Sequence, residues 1–226
     1  MSINLPAYQT IQQALLSYGA RLVAVSKIKP VADIRELYDA GQRIFGENYV
    51  QELVQKQPEL PQDIEWHFIG HLQSNKVKYI APFVTMIHAV DSLRLLLEIN
   101  KQAAKHNRII QCLLQVHIAE EETKFGLDET ELENLMQEWQ QQSETTHVRI
   151  AGLMGMATNT DSEAQIQKEF KHLQELFSQT KDRYFAGQDY FRELSMGMSG
   201  DYQLALQCGS TLVRIGSLLF GARIKP

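Results

Sequence analysis

Two hydrophobic periodicities alternate along this chain from one end to the other, and that alternation limits its fold more than any other feature. The apolar run Leu22-Val23-Ala24-Val25 ends in Ser26-Lys27. A helical spacing of Val31, Ile34, Leu37 and Tyr38 follows and closes at Gly41, a residue suited to a helix C-cap. The same strand-then-helix unit then recurs. Further strands are expected near residues 43–47, 65–69, 86–90, 109–118, 148–156, 193–196 and 212–215, with helices between them that include 92–107, 128–143 and 162–184. Asp91-Ser92 and Asp161-Ser162 supply N-caps, and an extra helix over residues 6–18 precedes the first strand.

Several of the eight strands are continuous apolar runs, as expected where both faces are covered. Eight such units in 226 residues fit a single α/β domain, residues 1–226, closed as a (β/α)8 TIM barrel. An open doubly wound sheet is the alternative on pattern alone. No GxGxxG and no GxxxxGK[ST] occurs, so dinucleotide and P-loop signatures are absent. A net charge of −5 argues against a general nucleic-acid binder, which would show a basic face. No apolar run approaches the length of a membrane span, and the first residues lack the plan of a signal peptide, so a cytoplasmic protein is expected. Cys112 and Cys208 read as small buried thiols, and Glu120-Glu121-Glu122 as a solvated loop.

In this architecture chemistry sits at the C-terminal ends of the strands, and the loops after strands seven and eight commonly cradle phosphate. Here they read Met196-Gly197-Met198-Ser199-Gly200-Asp201 and Arg214-Ile215-Gly216-Ser217, and both lead into segments that look helical. Glycine lets backbone N–H groups approach an anion, serine donates a hydroxyl, a helix N-terminus adds a favourable dipole and Arg214 adds a planar donor. Barrel turns use glycine and serine for shape alone as well. Lys27 terminates a buried strand, where desolvation favours a nucleophilic neutral amine; a salt-bridged rim lysine is the other reading. Lys29 lowers its pKa by repulsion or points to solvent. His67 and His71 flank strand three without metal-ligand spacing, so they read as core or rim histidines. Ser199 and Ser217 have no base partner in sequence, and Met154, Met156, Met196 and Met198 read as barrel packing.

The segments AVSKIKP (24–30), FGENYVQE (45–52), WHFIGHLQSNK (66–76), GLMGMA (152–157), LSMGMSGD (194–201) and VRIGSLLFG (213–221) closely resemble the pyridoxal phosphate homeostasis protein family, related to the barrel domain of alanine racemases. The match runs in order over nearly the whole chain. The resemblance implies pyridoxal 5′-phosphate (PLP, the vitamin B6 cofactor) held as a Schiff base on Lys27. It implies Arg214 facing the pyridine nitrogen, phosphate at Ser199, Gly216 and Ser217, and Asn48 and Met198 near the cofactor. Lys29 and Lys76 match family lysines of open role. His117 stands where asparagine is expected, at the rim of the pocket, and Ile28 and Ser217 stand where threonine is common.

An arginine against the ring nitrogen disfavours its protonation and weakens the ring as an electron sink. Racemases of this type add an acid/base group from a further C-terminal domain of a partner subunit. This sequence runs only five residues past Gly221, so no such domain is expected. The expected function is therefore PLP homeostasis without robust catalysis: a monomer that buffers the cofactor and passes it to PLP-requiring apoenzymes, with indirect effects on amino-acid and keto-acid metabolism. A racemase-like PLP enzyme of low activity is the alternative, and a PLP-sensing regulatory module is a third.

Overall fold

The structure, a computed structural model, describes residues 3–121 and 125–221 of the chain. The first helix, α1 (Leu5–Leu16), starts where the Asn4 side chain accepts from the Ala7 N–H at 3.1 Å, and it buries Tyr8, Ile11 and Leu15. Eight strand–helix units follow. They are β1 (Arg21–Val25) with α2 (Val31–Asp39), β2 (Ile44–Glu47) with α3 (Val50–Lys56), and β3 (Glu65–Phe68) with the single turn α4 (Val77–Ile80). Next come β4 (Met86–Val90) with α5 (Leu93–Lys105), β5 (Ile110–Gln115) with α6 (Glu129–Gln140), and β6 (Val148–Met154) with α7 (Glu163–Tyr184). The last two are β7 (Glu193–Ser195) with α8 (Tyr202–Gln207) and β8 (Leu212–Ile215) with α9 (Ser217–Phe220).

All neighbouring strands pair in parallel in chain order, and β1 also pairs with β8, from Arg21 opposite Leu212 to Ala24 opposite Ile215. That last ladder closes the barrel and removes the open-sheet alternative. Because strand side chains alternate, each strand presents one set to the helices and one to the barrel axis. Leu22, Ala24, Phe45, Trp66, Phe68, Ile87 and Leu114 pack outward under the helices, while Val23, Ile44, Met86, Leu113, Ala151, Met154 and Leu212 form a separate interior cluster. The β7–β8 ladder is the thinnest, with Ser195 opposite Leu212 as its one registered pair. Side chains reinforce this seam: Ser210 Oγ donates to the Met196 carbonyl at 2.7 Å, and Arg21 pairs with Glu193 at 2.6 Å. At Gly152, φ is +154° and an added Cβ would lie 1.7 Å from the Glu193 carbonyl oxygen, so β6 and β7 reach this spacing only with glycine.

Ser92 and Ser162 cap α5 and α7 as expected, and Asp128 forms a reciprocal capping box with Glu131 on α6. Three features differ from the sequence reading. The fifth strand stops at Gln115, with Val116 making only an isolated bridge to Leu127, and the sixth stops at Met154, so that Gly155 and Met156 leave the sheet. Helix α3 stands where a helix is expected between two strands, but its bounds were not marked, because seven residues give too few turns for the 3.6-residue period to register. Lys27 lies in a turn two residues past β1 and is half-buried, so it is less desolvated than a lysine closing a buried strand would be. Cys112 and Cys208 are buried free thiols. Glu122, in the acidic run, lies outside the described residues. Among the described residues no helix is long and apolar enough to cross a membrane, and no group of three or more His, Cys, Asp or Glu could hold a metal ion.

Candidate functional site

The C-terminal strand ends surround a cavity of about 290 Å³, and all seven residues expected to hold a cofactor line it: Lys27, Asn48, Met198, Ser199, Arg214, Gly216 and Ser217. They come from the C-terminal ends of four strands: Arg214 from β8 itself, the others from the loops after β1, β2, β7 and β8. Lys29 lines the same cavity, but its ammonium donates to the Phe220 carbonyl at 2.7 Å and so braces the end of α9. Met154 and Met156 line it too, where packing alone was expected of them. Lys76 and His117 do not. The Lys76 ammonium lies 5.9 Å from the Tyr79 ring centroid, and His117 Nε2 faces the Glu121 carbonyl at 2.9 Å.

The loop after β7 owes its shape to Gly197 and Asp201. Gly197 has φ +92°, and an added Cβ would sit 2.5 Å from the Ala205 methyl. The Met198 N–H donates to Asp201 Oδ1 at 2.5 Å, and the Asp201 N–H returns to the Met198 carbonyl at 3.2 Å. This closed turn carries Ser199 and Gly200 at the cavity wall. The helices after β7 and β8 are only six and four residues long, so what these loops offer an anion is hydroxyls and local N–H groups more than a long helix dipole.

Arg214 projects inward from β8, two residues beyond the interior Leu212, and is 4% exposed. Its guanidinium donates through Nη1 to the Ser195 carbonyl at 2.8 Å and Oγ at 2.7 Å, and through Nη2 to the Gly155 carbonyl at 3.1 Å. Burial pushes its pKa down to about 10, against the opposing charge of Asp201, so it stays protonated at neutral pH. Behind it runs a chain of buried polar groups that the sequence reading missed. Ser195 Oγ lies 3.0 Å from His88 Nδ1, and His88 Nε2 lies 2.9 Å from His67 Nδ1. Arginine can only donate, so Ser195 accepts from it and passes its own hydrogen to His88 Nδ1. Neutral His88 then carries its proton on Nε2 and donates it to His67. Burial holds the His67 pKa down at about 3 and that of His88 well below the ordinary value, so both rings are neutral. The only cue in the sequence is inward parity on β3, β4 and β7, which says nothing of who meets whom.

These residues fit a phosphorylated pyridine aldehyde. The cavity combines the Lys27 amine, a second lysine already held by the Phe220 carbonyl, two serine hydroxyls and a buried guanidinium with an apolar wall of Val25, Ile69 and the three methionines. Asn48 Oδ1 is buried with no hydrogen-bond partner, a deficit of about 1–3 kcal/mol that a polar ligand would relieve. An added Cβ at Gly216 would lie 3.0 Å from the Val25 carbonyl, so that position is kept small where the β8 loop meets the cavity.

Residues 7–224 match the family described as alanine racemase, N-terminal domain. The pyridoxal phosphate homeostasis protein of Pasteurella multocida is 40% identical over 219 residues, covering 94% of this chain and 91% of that protein. PipY of Synechococcus elongatus, solved without PLP, superposes with a TM-score of 0.88 at 36% identity over 96% of this chain and 99% of its own. The same protein solved with PLP bound gives 0.80 at 38% identity over 93% and 100%. By fold, by the composition of its cavity and by identity along nearly its whole length, this chain belongs to the pyridoxal phosphate homeostasis protein family.

Proposed function

We propose that this protein binds PLP covalently through Lys27 and serves intracellular PLP homeostasis, holding the cofactor and releasing it to PLP-requiring apoenzymes. One observation carries the reading: a lysine, a buried arginine and two serines from three distant chain segments, at the ends of β1, β7 and β8, converge on one cavity. When bound, PLP supplies an aldehyde for the amine and an electron-withdrawing ring. Ser199 and Ser217 donate hydroxyls to the phosphate, and Gly216 keeps the backbone close to it. Arg214 faces the ring nitrogen and disfavours a proton there by like-charge repulsion. Asn48 answers a polar edge of the ring with its unpaired oxygen, and Met198, 37% exposed, covers the mouth.

Two features support storage over turnover. Among the described residues the cavity is lined by no Tyr, His, Cys or carboxylate that could act as a second acid or base opposite Lys27. The guanidinium weakens the ring as an electron sink. The two unpaired buried cysteines suit a reducing cytoplasm. The test is an absorbance spectrum of the PLP-loaded protein before and after borohydride, followed by peptide mapping. The label is expected on Lys27 and lost in Lys27→Ala. A label that maps to Lys29 or Lys76 in the wild-type protein refutes the assignment.

A further inference from the structure

Lys27 is followed by a residue in a conformation that its side chain opposes. Ile28 has φ +62°, in the left-handed region, where a β-branched side chain is a steric outlier. It is 57% exposed, so core packing does not force it there. Strain of this kind persists only where surrounding contacts over-determine the backbone. Here the contacts come from β2 and α3. The Ile28 N–H donates to Glu52 Oε1 at 2.6 Å. The Lys56 ammonium bonds Glu52 Oε1 at 2.5 Å, Glu47 Oε1 at 2.8 Å and the Ser26 carbonyl at 2.8 Å. Ser26 Oγ donates to Glu47 Oε1 at 2.6 Å, and the same Ser26 carbonyl accepts the Lys29 N–H at 3.1 Å. Both residues that flank Lys27 are thus gripped by one buried ion cluster.

The cluster is a poor stability device. Lys56 and Glu47 are nearly fully buried, burial pushes the Glu47 pKa up, and Glu47 Oε2 has no hydrogen-bond partner. Desolvating such a pair offsets most of its attraction, so its worth lies in fixing geometry. The adjoining Asn48 lines the cavity, so β2 carries a clamp residue and a cavity residue side by side.

We propose that Glu52, Lys56 and Glu47 are positioning residues that hold the Ser26–Lys29 turn with Ile28 left-handed and thereby aim Lys27 into the cavity. The proposal rests on the reading of Lys27 as the PLP-bearing amine. Glu52→Ala removes the acceptor for the Ile28 N–H while Lys56 keeps Glu47. Two readouts are needed: amide exchange at Ile28 in the cofactor-free protein, and the PLP affinity at Lys27 by spectral titration with borohydride mapping. Exchange is expected to quicken and PLP affinity to fall, each about tenfold, the size of one lost bond to a charged acceptor. Glycine adopts positive φ without strain. Ile28→Gly placed in the Glu52→Ala background is therefore expected to restore affinity to within about twofold of wild type. Glu52→Gln, which keeps an acceptor oxygen, is expected to retain most of the affinity. Unchanged PLP affinity in Glu52→Ala, or failure of Ile28→Gly to restore it, overturns the positioning role and leaves Lys27 as the PLP site. Absence of a Lys27 adduct in the wild type overturns both.

Discussion

Acid should destabilise this protein through the histidines behind Arg214, by an amount that follows from their burial. In the fold His67 holds its pKa near 3, against an ordinary 6.5, because burial penalises the imidazolium. A histidine whose folded pKa is depressed contributes stability that is complete above pH 6.5 and lost as pH falls towards the folded value. Between pH 7 and pH 5 the unfolded ring goes from about one-quarter to nearly fully protonated, while the folded ring stays neutral; integrating that difference gives about 2 kcal/mol. His88 is shifted in the same direction and adds to the loss. The perturbation is His67→Gln, whose side-chain oxygen still accepts from His88 Nε2 and does not titrate. Urea unfolding at pH 7, 6 and 5, followed by Trp66 and Trp139 fluorescence, should show the wild type losing about 2 kcal/mol more than the variant over that range. Parallel pH curves for the two proteins would refute the reasoning, since they would mean that His67 takes up its proton in the folded barrel.

Other expectations are narrower. Arg214→Glu replaces the guanidinium with a carboxylate and should shift the absorbance of bound PLP towards the ring-protonated form; an unchanged spectrum rules out contact between residue 214 and the ring nitrogen. Gly152→Ala has no room beside the Glu193 carbonyl and should cost more than about 3 kcal/mol, read as insoluble or strongly destabilised protein. Asp128→Ala breaks the capping box on α6 and should cost about 1 kcal/mol, with a melting temperature lower by about 2–4 °C. A melting temperature equal to wild type in either variant would contradict its premise.

Much of the site was legible because each part of it is a short local signal. Ser199 and Ser217 stand in glycine-bearing segments at the ends of apolar runs, and Lys27 stands two residues past one. The resemblance assigned Asn48 and Met198, and the cavity includes both. Met154 packs in the barrel interior as expected and also borders the cavity with Met156, because a methionine at a strand end reaches both with the same local spacing. The clamp around Ile28 left no trace, since Glu52 and Lys56 lie on a helix too short to show its period, and nothing in an isoleucine announces positive φ.

Local pattern alone set the order of strands and helices, the caps on α5 and α7, and the placement of Arg214 near the end of β8, because these depend on neighbours a few residues apart; Lys27 stands in the turn two residues past β1 instead of closing that strand. Closure of β8 on β1 was decided only in three dimensions. So were the path from Arg214 through Ser195 and His88 to His67, and the grip of Lys56 on Ser26. Those contacts join residues 19 to 191 positions apart, and they depend on strand register and barrel curvature, which no local pattern encodes.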